Sequence, residues 1–286
     1  IEKNIPIILA SSTQAESQNL YGKSKLRAEL AVENLEKDTG NSSYIYRLPG
    51  VFGKWCEPNY NSVVATFCHN ISHDLPVQIN DPAFELSLVY IDDVVEEFIN
   101  VIQGVKDDSK TFSVQPEYKI KLGELADQIK MFRESRDSLI TERVGSGLVR
   151  KLYSTYLSYI SPEKFAYSIP SYGDERGMFA EMLKTKDSGQ VSFFTAKPGV
   201  TRGGHYHHSK TEKFLVVQGD ARFGFRHIAS DETHEIITTS EELKIVETMP
   251  GWAHNITNIG DEDIVVMLWA NEIFDPEKPD TYVASF

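Results

Sequence analysis

Cysteine is scarce in this chain. Cys56 and Cys68 are the two present, and no CxxC spacing joins them. A zinc ribbon and a disulfide framework are therefore excluded, and a reducing cytoplasm is the expected compartment. Long apolar runs are missing too: none approaches the roughly 20 residues that a membrane-spanning helix needs, so no membrane span is expected. Positive charge is in short supply, with 29 Lys and Arg against 42 Asp and Glu and a formal net charge of −13. A general nucleic-acid surface would need clustered basic residues, which are not found, whereas an anionic small molecule needs only a local basic patch. There are no internal repeats, and the opening "IEKNIPIILASS" has neither the pattern of a signal peptide nor a starting Met.

What is present reads as two domains. A length of 286 residues exceeds one small core, and 41% hydrophobic with 25% charged residues is ordinary for a globular protein. "IPIILASS" predicts a buried parallel strand feeding a loop. "YGKSKLRAELAVENLEKDTG" predicts a helix, with Leu26, Leu30 and Leu35 near helical spacing and Gly40 as its stop. "SYIYRLPGVFG" predicts the next strand, completing one strand–helix–strand unit of a doubly wound α/β (Rossmann-type) domain. "LVYIDDVVEEFINVIQG" predicts a strand end running into a helix capped by Asp92 or Asp93 and closed by Gly104, and two further helical stretches carry the domain to about Ile160. "SPEKFAYSIPSYGDERG" lacks a helical period and predicts a linker, which gives domains of 1–162 and 163–286. After it, runs such as "QVSFFTA", "EKFLVVQG", "ARFGFRHI" and "IVVMLWANE" predict an all-β barrel or sandwich.

Tyr21 and Lys25 open the first predicted helix one turn apart on one face. An ammonium placed there favours proton release from a phenol, whose unperturbed pKa is about 10. Ser11 and Ser12 end the preceding strand and supply a hydroxyl that can hold a substrate carbonyl. A lone Tyr-x-x-x-Lys is a weak signal whose bland reading is a tyrosine packed beside a solvated lysine; the strand-end serines strengthen it. The layout resembles the extended short-chain dehydrogenase/reductase family, which uses a Ser or Thr, a YxxxK pair and NAD(P). That resemblance implies Ser12 as the catalytic hydroxyl, with Ser11 and Thr13 as alternatives. It also implies Tyr21 as the proton donor, Lys25 as its partner on the cofactor ribose, and Pro49 in "YRLPGVFG" beside the nicotinamide. The glycine-rich turn that receives the cofactor pyrophosphate has no counterpart before Tyr21, so the first two βα units are expected to be missing, and with them the NAD(P) binding and the reductase activity that a longer parent chain would have.

The densest cluster is "RGGHYHHSKTEKFLVVQGDARF", which reads as a β-hairpin. His205 and His207 are two apart and would project together, His208 would point away, and the hairpin would fold Glu212 back beside the pair. "PGWAHNITN" adds His254. Three imidazoles and a carboxylate suit zinc, iron, manganese or nickel. The spacings from His205 through Glu212 to Gly219, with Pro250-Gly251, His254 and Asn258, resemble the two motifs of the cupin superfamily. "RGGHYH" further resembles the "RGxHyQ" stretch of the dTDP-sugar 3,5-epimerases, metal-free cupins, which implies Arg202 as a phosphate anchor and His205 as a base. A nitrogen whose lone pair faces a metal cannot accept a proton, so His205 is either a fourth ligand beside His207, Glu212 and His254 or the base. Asp174, Glu175 and Arg176 line the mouth of the barrel or form an exposed turn.

The pairing of the two domains resembles the CapF family of capsular polysaccharide synthesis enzymes, and the likeness extends to "FGKWCEPNYNSVVATFC" and "LYSTYLSYI". That family implies a bifunctional enzyme on the route to UDP-N-acetyl-L-fucosamine. The cupin would epimerise C3 of a UDP-4-keto-6-deoxy-HexNAc, and the dehydrogenase domain would then reduce C4. The resemblance implies NADPH, a divalent metal with Zn2+ the expected ion, a UDP-sugar substrate and a homodimer. The rival reading is a non-catalytic sugar-binding or dimerisation cupin attached to a reductase, against which the neighbouring Arg202 and His205 argue.

Overall fold

The computed structural model describes residues 5–104 and 111–284. Their contacts form two units, one built on residues up to Arg133 with Val144–Phe165 and the other on Glu134–Arg143 with residues from Ala166 onward. In chain order the elements up to Leu157 are β1 (Ile7–Ser12), α1 (Leu20–Thr39), β2 (Ser43–Leu48), β3 (Gly50–Phe52), α2 (Val63–Ser72), β4 (Glu85–Tyr90), α3 (Ile91–Ile102), β5 (Thr111–Phe112), β6 (Tyr118–Lys121), α4 (Leu122–Ser138), β7 (Ile140–Thr141) and α5 (Gly147–Leu157).

β1 and β2 pair in parallel, with Ile7 opposite Ser43 and Ser12 opposite Leu48, and α1 is the connection between them. The Asn19 side chain caps α1 by accepting the Gly22 N–H, and Gly40 closes it at φ 72°. Leu26, Leu30 and Leu35 lie exposed along α1, whose buried residues are Gly22 and Glu29. The helix therefore meets the turn after β1 through a glycine and the β1–β2 pair through a carboxylate. "SYIYRLPGVFG" is two strands and not one. Pro49 has no N–H to give to a ladder, and after it β3 joins a second sheet, parallel to β4, which pairs antiparallel with β6. Asp92 and Asp93 do not cap α3. Tyr90 occupies the cap position, and the two aspartates sit in the first turn, where Asp92 meets Lys54 at 2.7 Å and Asp93 pairs with Lys151. Phe52, Phe67, Leu125, Ile129, Phe132 and Leu152 form the main core of the unit. Among the described residues no helix is long and apolar enough to cross a membrane.

From Ser171 the chain continues as β8 (Ser171–Asp174), β9 (Gly177–Thr185), β10 (Gly189–Ala196), β11 (Thr201–Tyr206), β12 (Glu212–Gln218), β13 (Asp220–His227), β14 (Thr233–Thr239), β15 (Ile245–Glu247), β16 (Trp252–Asn258), β17 (Ile264–Ala270) and β18 (Tyr282–Val283). The segment read as linker thus ends in a strand, β8, paired antiparallel with β9. One sheet runs β15-β12-β17-β10-β9-β7, and the other β14-β13-β16-β11-β18. Alternation along the strands sends Phe194 of β10, Phe214 of β12, Phe223 of β13, Ile256 of β16 and Val266 of β17 into one shared core, the two-sheet arrangement of a cupin. The expected hairpin is absent: β11 pairs with β16 and β18, while β12 pairs with β15 and β17 in the opposite sheet. His205 and Glu212 therefore meet across the core and not along a ladder.

Candidate active sites

In the first unit a cavity of ≈ 720 Å³ brings Ser12, Tyr21, Lys25 and Pro49 together, with Ser11 and Cys56 also at its wall. The end of β1 and the start of α1 create it. A Cβ on Gly22 would run into the carbonyl oxygens of Gln14 and Ser17, so a glycine next to Tyr21 is what lets the helix start lie against the turn after β1. Lys25 Nζ lies 5.7 Å from the Tyr21 ring centroid and donates to the Ala10 carbonyl at 3.2 Å. The two serines differ in their partners. Ser12 Oγ accepts the Gln14 N–H at 3.2 Å, which leaves its own proton free to donate. Ser11 Oγ–H is committed to Glu29, which also receives Arg47 Nε at 3.0 Å and Nη2 at 2.8 Å. Burial raises the Glu29 pKa, but Arg47 and Ser11 outweigh it and hold the carboxyl below its ordinary value. Thr13 is exposed and is not part of the cavity wall. Glu29 and Arg47 were not singled out from sequence, where nothing in the spacing marks either charge as buried.

In the second unit a smaller cavity of ≈ 150 Å³ is lined by Arg202, His205, Glu212, His254, Asn255 and apolar side chains. Arg202 and His205 are three apart, and a regular strand would put them on opposite faces. A bulge prevents this. The register of β11 against β16 shifts between Gly203 and His205, so Gly203 opposes Asn255 and His205 opposes His254. Gly203 and Gly204 sit at φ 93° and 82°, a region that favours glycine, and a Cβ on Gly203 would stand 2.8 Å from the His254 carbonyl oxygen. The double glycine is thus what aims both side chains into one cavity. Arg202 Cζ lies 5.3 Å from the Phe194 ring centroid, and its buried Nε has no hydrogen-bond partner.

His205, His207, Glu212 and His254 offer one ligand atom each within 4.8 Å of one another. His207 Nδ1 meets the Asp280 carbonyl at 2.5 Å. A carbonyl only accepts, so Nδ1 carries the proton, and in the neutral ring the Nε2 lone pair faces Glu212 Oε2 at 3.3 Å. His254 Nε2 stands 3.2 Å from the same oxygen without hydrogen-bond geometry, and neither of its buried ring nitrogens has a partner. Lone pairs converging on a carboxylate, with orphaned buried nitrogens beside them, are what a bound cation resolves. The donor set fits a divalent metal. Burial raises the Glu212 pKa, and the Lys210 ammonium at 2.9 Å is the charged group beside it that opposes this and favours the carboxylate. Burial, then His254, pushes His205 down to about 4, so its imidazole is neutral at neutral pH.

The remaining candidates fall outside the cluster. His208 is exposed, with its ring against Tyr206 and Tyr282. Asp174 pairs with Arg176 at 2.6 Å, an exposed contact that pulls the Asp174 carboxyl down to about 2, and Glu175 is exposed beside them; none of the three lines the cavity. Asn258, in the second histidine motif, is a structural residue whose Nδ2 donates to the Ala196 and Glu262 carbonyls at 2.8 Å each. Two neighbours of the cluster went unnoticed in the sequence. Lys210 Nζ holds Glu212 Oε1 at 2.9 Å, and Asp280 is the carbonyl partner of His207. Lys210 stands within the histidine motif and was legible by position; Asp280 lies too far along the chain for any spacing rule.

Comparison with known proteins finds a family match in each part of the chain. Residues 3–114 match the model of the NAD dependent epimerase/dehydratase family, and residues 172–282 that of the polysaccharide biosynthesis C-terminal domain. The chain is 59% identical over 281 residues to a UDP-2-acetamido-2,6-beta-L-arabino-hexul-4-ose reductase of Pseudomonas aeruginosa, covering 98% of this chain and 76% of that one. It is 24% identical over 120 residues to the spore coat polysaccharide biosynthesis protein SpsL of Bacillus subtilis, 38% of this chain and 79% of the relative. The crystal structure of the capsular polysaccharide assembling protein CapF from Staphylococcus aureus superposes with a TM-score of 0.95 at 43% identity, over 100% of this chain and 79% of that one.

Proposed function

The chain belongs to the CapF family, in which an extended short-chain dehydrogenase/reductase domain is followed by a cupin, and on that premise we propose that its cupin epimerises C3 of a UDP-4-keto-6-deoxy-HexNAc and that its first unit, when joined to the glycine-rich turn that receives the cofactor pyrophosphate, reduces C4 with NADPH, towards UDP-N-acetyl-L-fucosamine. The observation that carries the epimerase half is the single cavity holding His205 and the unpartnered Nε of Arg202. The name of the Pseudomonas relative, a reductase of a UDP-linked hexul-4-ose, supports the other half.

The chemistry follows from the residues. A keto group at C4 acidifies the C3 proton, and a neutral imidazole at His205 removes it while Arg202 holds the diphosphate; return of a proton to the opposite face inverts C3. His207, Glu212 and His254, each buried to 4% exposure or less, would hold a divalent ion between the two sheets. His205, at the cavity wall and less buried, is left to act as base. When bound, Zn2+ would cross-link strands of both sheets, the structural use of such an ion. In the first unit Ser12 donates a hydrogen bond to the C4 carbonyl, Tyr21 transfers the single proton to that oxygen, and Lys25 orders the pair. Tyr21, Lys25 and Pro49 would hold the nicotinamide end of NADPH, which when bound would supply a hydride for C4, and the 46% exposed Tyr21 ring is open to it.

The test is incubation of the chain, beside a version extended at its N-terminus by the glycine-rich turn, with the 4-keto sugar nucleotide in deuterated water, with and without NADPH, following deuterium at C3 in both and cofactor oxidation in the extended one. Exchange at C3 without NADPH is expected. No exchange would leave a cupin that only binds. His205→Gln should abolish exchange while zinc stays at one per chain, and His254→Ala should lose the zinc. Loss of zinc from His205→Gln would instead make His205 a ligand.

A further inference from the structure

Residues 280–284 return to β11 and run beside the histidines. His205 pairs with Val283 and Tyr206 with Tyr282 in antiparallel register, and the Ala284 N–H donates to the Gly204 carbonyl at 2.9 Å. Asp280 stands where this strap meets the turn after β11. Its carboxylate accepts the backbone N–H groups of His208 at 2.9 Å, Ser209 at 2.7 Å and Lys210 at 2.8 Å, and the Ser209 hydroxyl at 2.9 Å. Its own carbonyl takes the Nδ1 proton of His207. One residue therefore holds the His207 ring from behind and also the backbone of the three residues that lead towards Glu212.

We propose that Asp280 is a positioning residue for the metal cluster, fixing the His207 tautomer with Nε2 turned inward and seating Lys210 on one oxygen of Glu212 so that the other alone faces the imidazoles. The proposal rests on the reading of His207, Glu212 and His254 as ligands. Its logic is that an imidazole has two tautomers and a freely turning ring, and a carboxylate can bind through one oxygen or two. A site that leaves those choices open must make them when the ion arrives. Here both are made beforehand. His207 is locked by a carbonyl that can only accept, and Glu212 Oε1 is occupied by the Lys210 ammonium at 2.9 Å. The turn that carries Lys210 has its N–H groups gathered on one carboxylate, an arrangement that a neutral side chain cannot reproduce. Loss of such an outer partner typically weakens metal binding about 10- to 100-fold.

The experiment measures Zn2+ affinity of the metal-free chain by competition with a chromophoric chelator, records the visible spectrum of the Co2+-loaded chain, and takes the melting temperature of the metal-free chain. Asp280→Asn, which keeps the shape and exchanges an acceptor oxygen for a donor, should bind Zn2+ about 10- to 100-fold more weakly and shift the Co2+ spectrum. A merely structural Asp280 would lower the melting temperature and leave both readouts as in the wild type, which would overturn the proposal. Ser209→Ala removes one of the four donors with little risk to folding, and a few-fold loss of affinity is expected. If Asp280→Asn does not fold, unchanged affinity and spectrum in Ser209→Ala overturns the proposal in its place. Wild type that takes up no Zn2+ would overturn this inference and the ligand reading together, whereas stoichiometric uptake equal in wild type and Asp280→Asn would overturn this inference alone.

Discussion

Two adjacent hydroxyls at the end of β1 have opposite fates, and the difference is where each proton goes. Ser11 gives its proton to Glu29, and Ser12 keeps its own. Ser12→Ala should therefore slow C4 reduction by about 100-fold or more, as loss of one carbonyl-holding donor does, with the urea midpoint little changed. Ser11→Ala should cost about 1 kcal/mol of stability and leave turnover largely intact. The reverse pattern, read from cofactor oxidation and urea titration, would exchange their roles. Glu29 carries a second consequence. Its folded pKa lies below the ordinary 4.5, so the stability it contributes is present above that value and is lost as pH falls through the lower, folded pKa. Melting temperatures from neutral pH down into the acid range should fall less steeply for Glu29→Gln than for wild type, and parallel curves would remove Glu29 from the acid response.

Two elements work by close approach and bulge, features that hydrophobic periodicity does not report. The leucine spacing of α1 predicted the helix, yet those leucines are exposed and the contact is made at Gly22. Gly22→Ala should push the Tyr21 end of α1 off the turn after β1, lowering reduction while C3 exchange is kept; equal activity in both assays would show that the contact is slack. In β11 the parity of Arg202 and His205 was wrong for a regular strand, and the Gly203–Gly204 bulge corrects it. Gly203→Ala meets a positive φ and the His254 backbone at once, so C3 exchange should fall at least as far as it does in Arg202→Ala. The same region shows why a hairpin was the wrong expectation. The spacing of His205 and Glu212 fits any arrangement that brings them together, and only strand pairing shows that they come from opposite sheets.

At the scale of the molecule each candidate site is assembled from the residues of its own unit, with Ser12, Tyr21 and Lys25 in the first and Arg202, His205, His207, Glu212 and His254 in the second. Separate sites imply separable steps. Tyr21→Phe should lose cofactor oxidation and keep C3 exchange, and His205→Gln should lose C3 exchange while still oxidising the cofactor when supplied with the C3-epimerised ketose. Mixed in one vessel, the two variants should restore the reduced product, because the epimerised ketose can pass from one chain to the other through solution. Failure of the mixture, with both single activities intact, would require transfer within a single chain.

The sequence by itself determined the division into an α/β and an all-β part, the family resemblance, and the identities of the histidines, the glutamate and the Tyr–Lys pair. These follow from local periodicity and from fixed spacings, which a chain carries whatever its partners. Only the tertiary structure decided which of Ser11 and Ser12 has a proton to give, how Arg202 and His205 come to share a cavity, and that Asp280 stands behind His207. The physical reason is the same in each case. A hydrogen bond, a bulge register or a cross-sheet contact is settled by a partner distant in sequence, such as Glu29 for Ser11, Asn255 for Gly203 and Asp280 for His207.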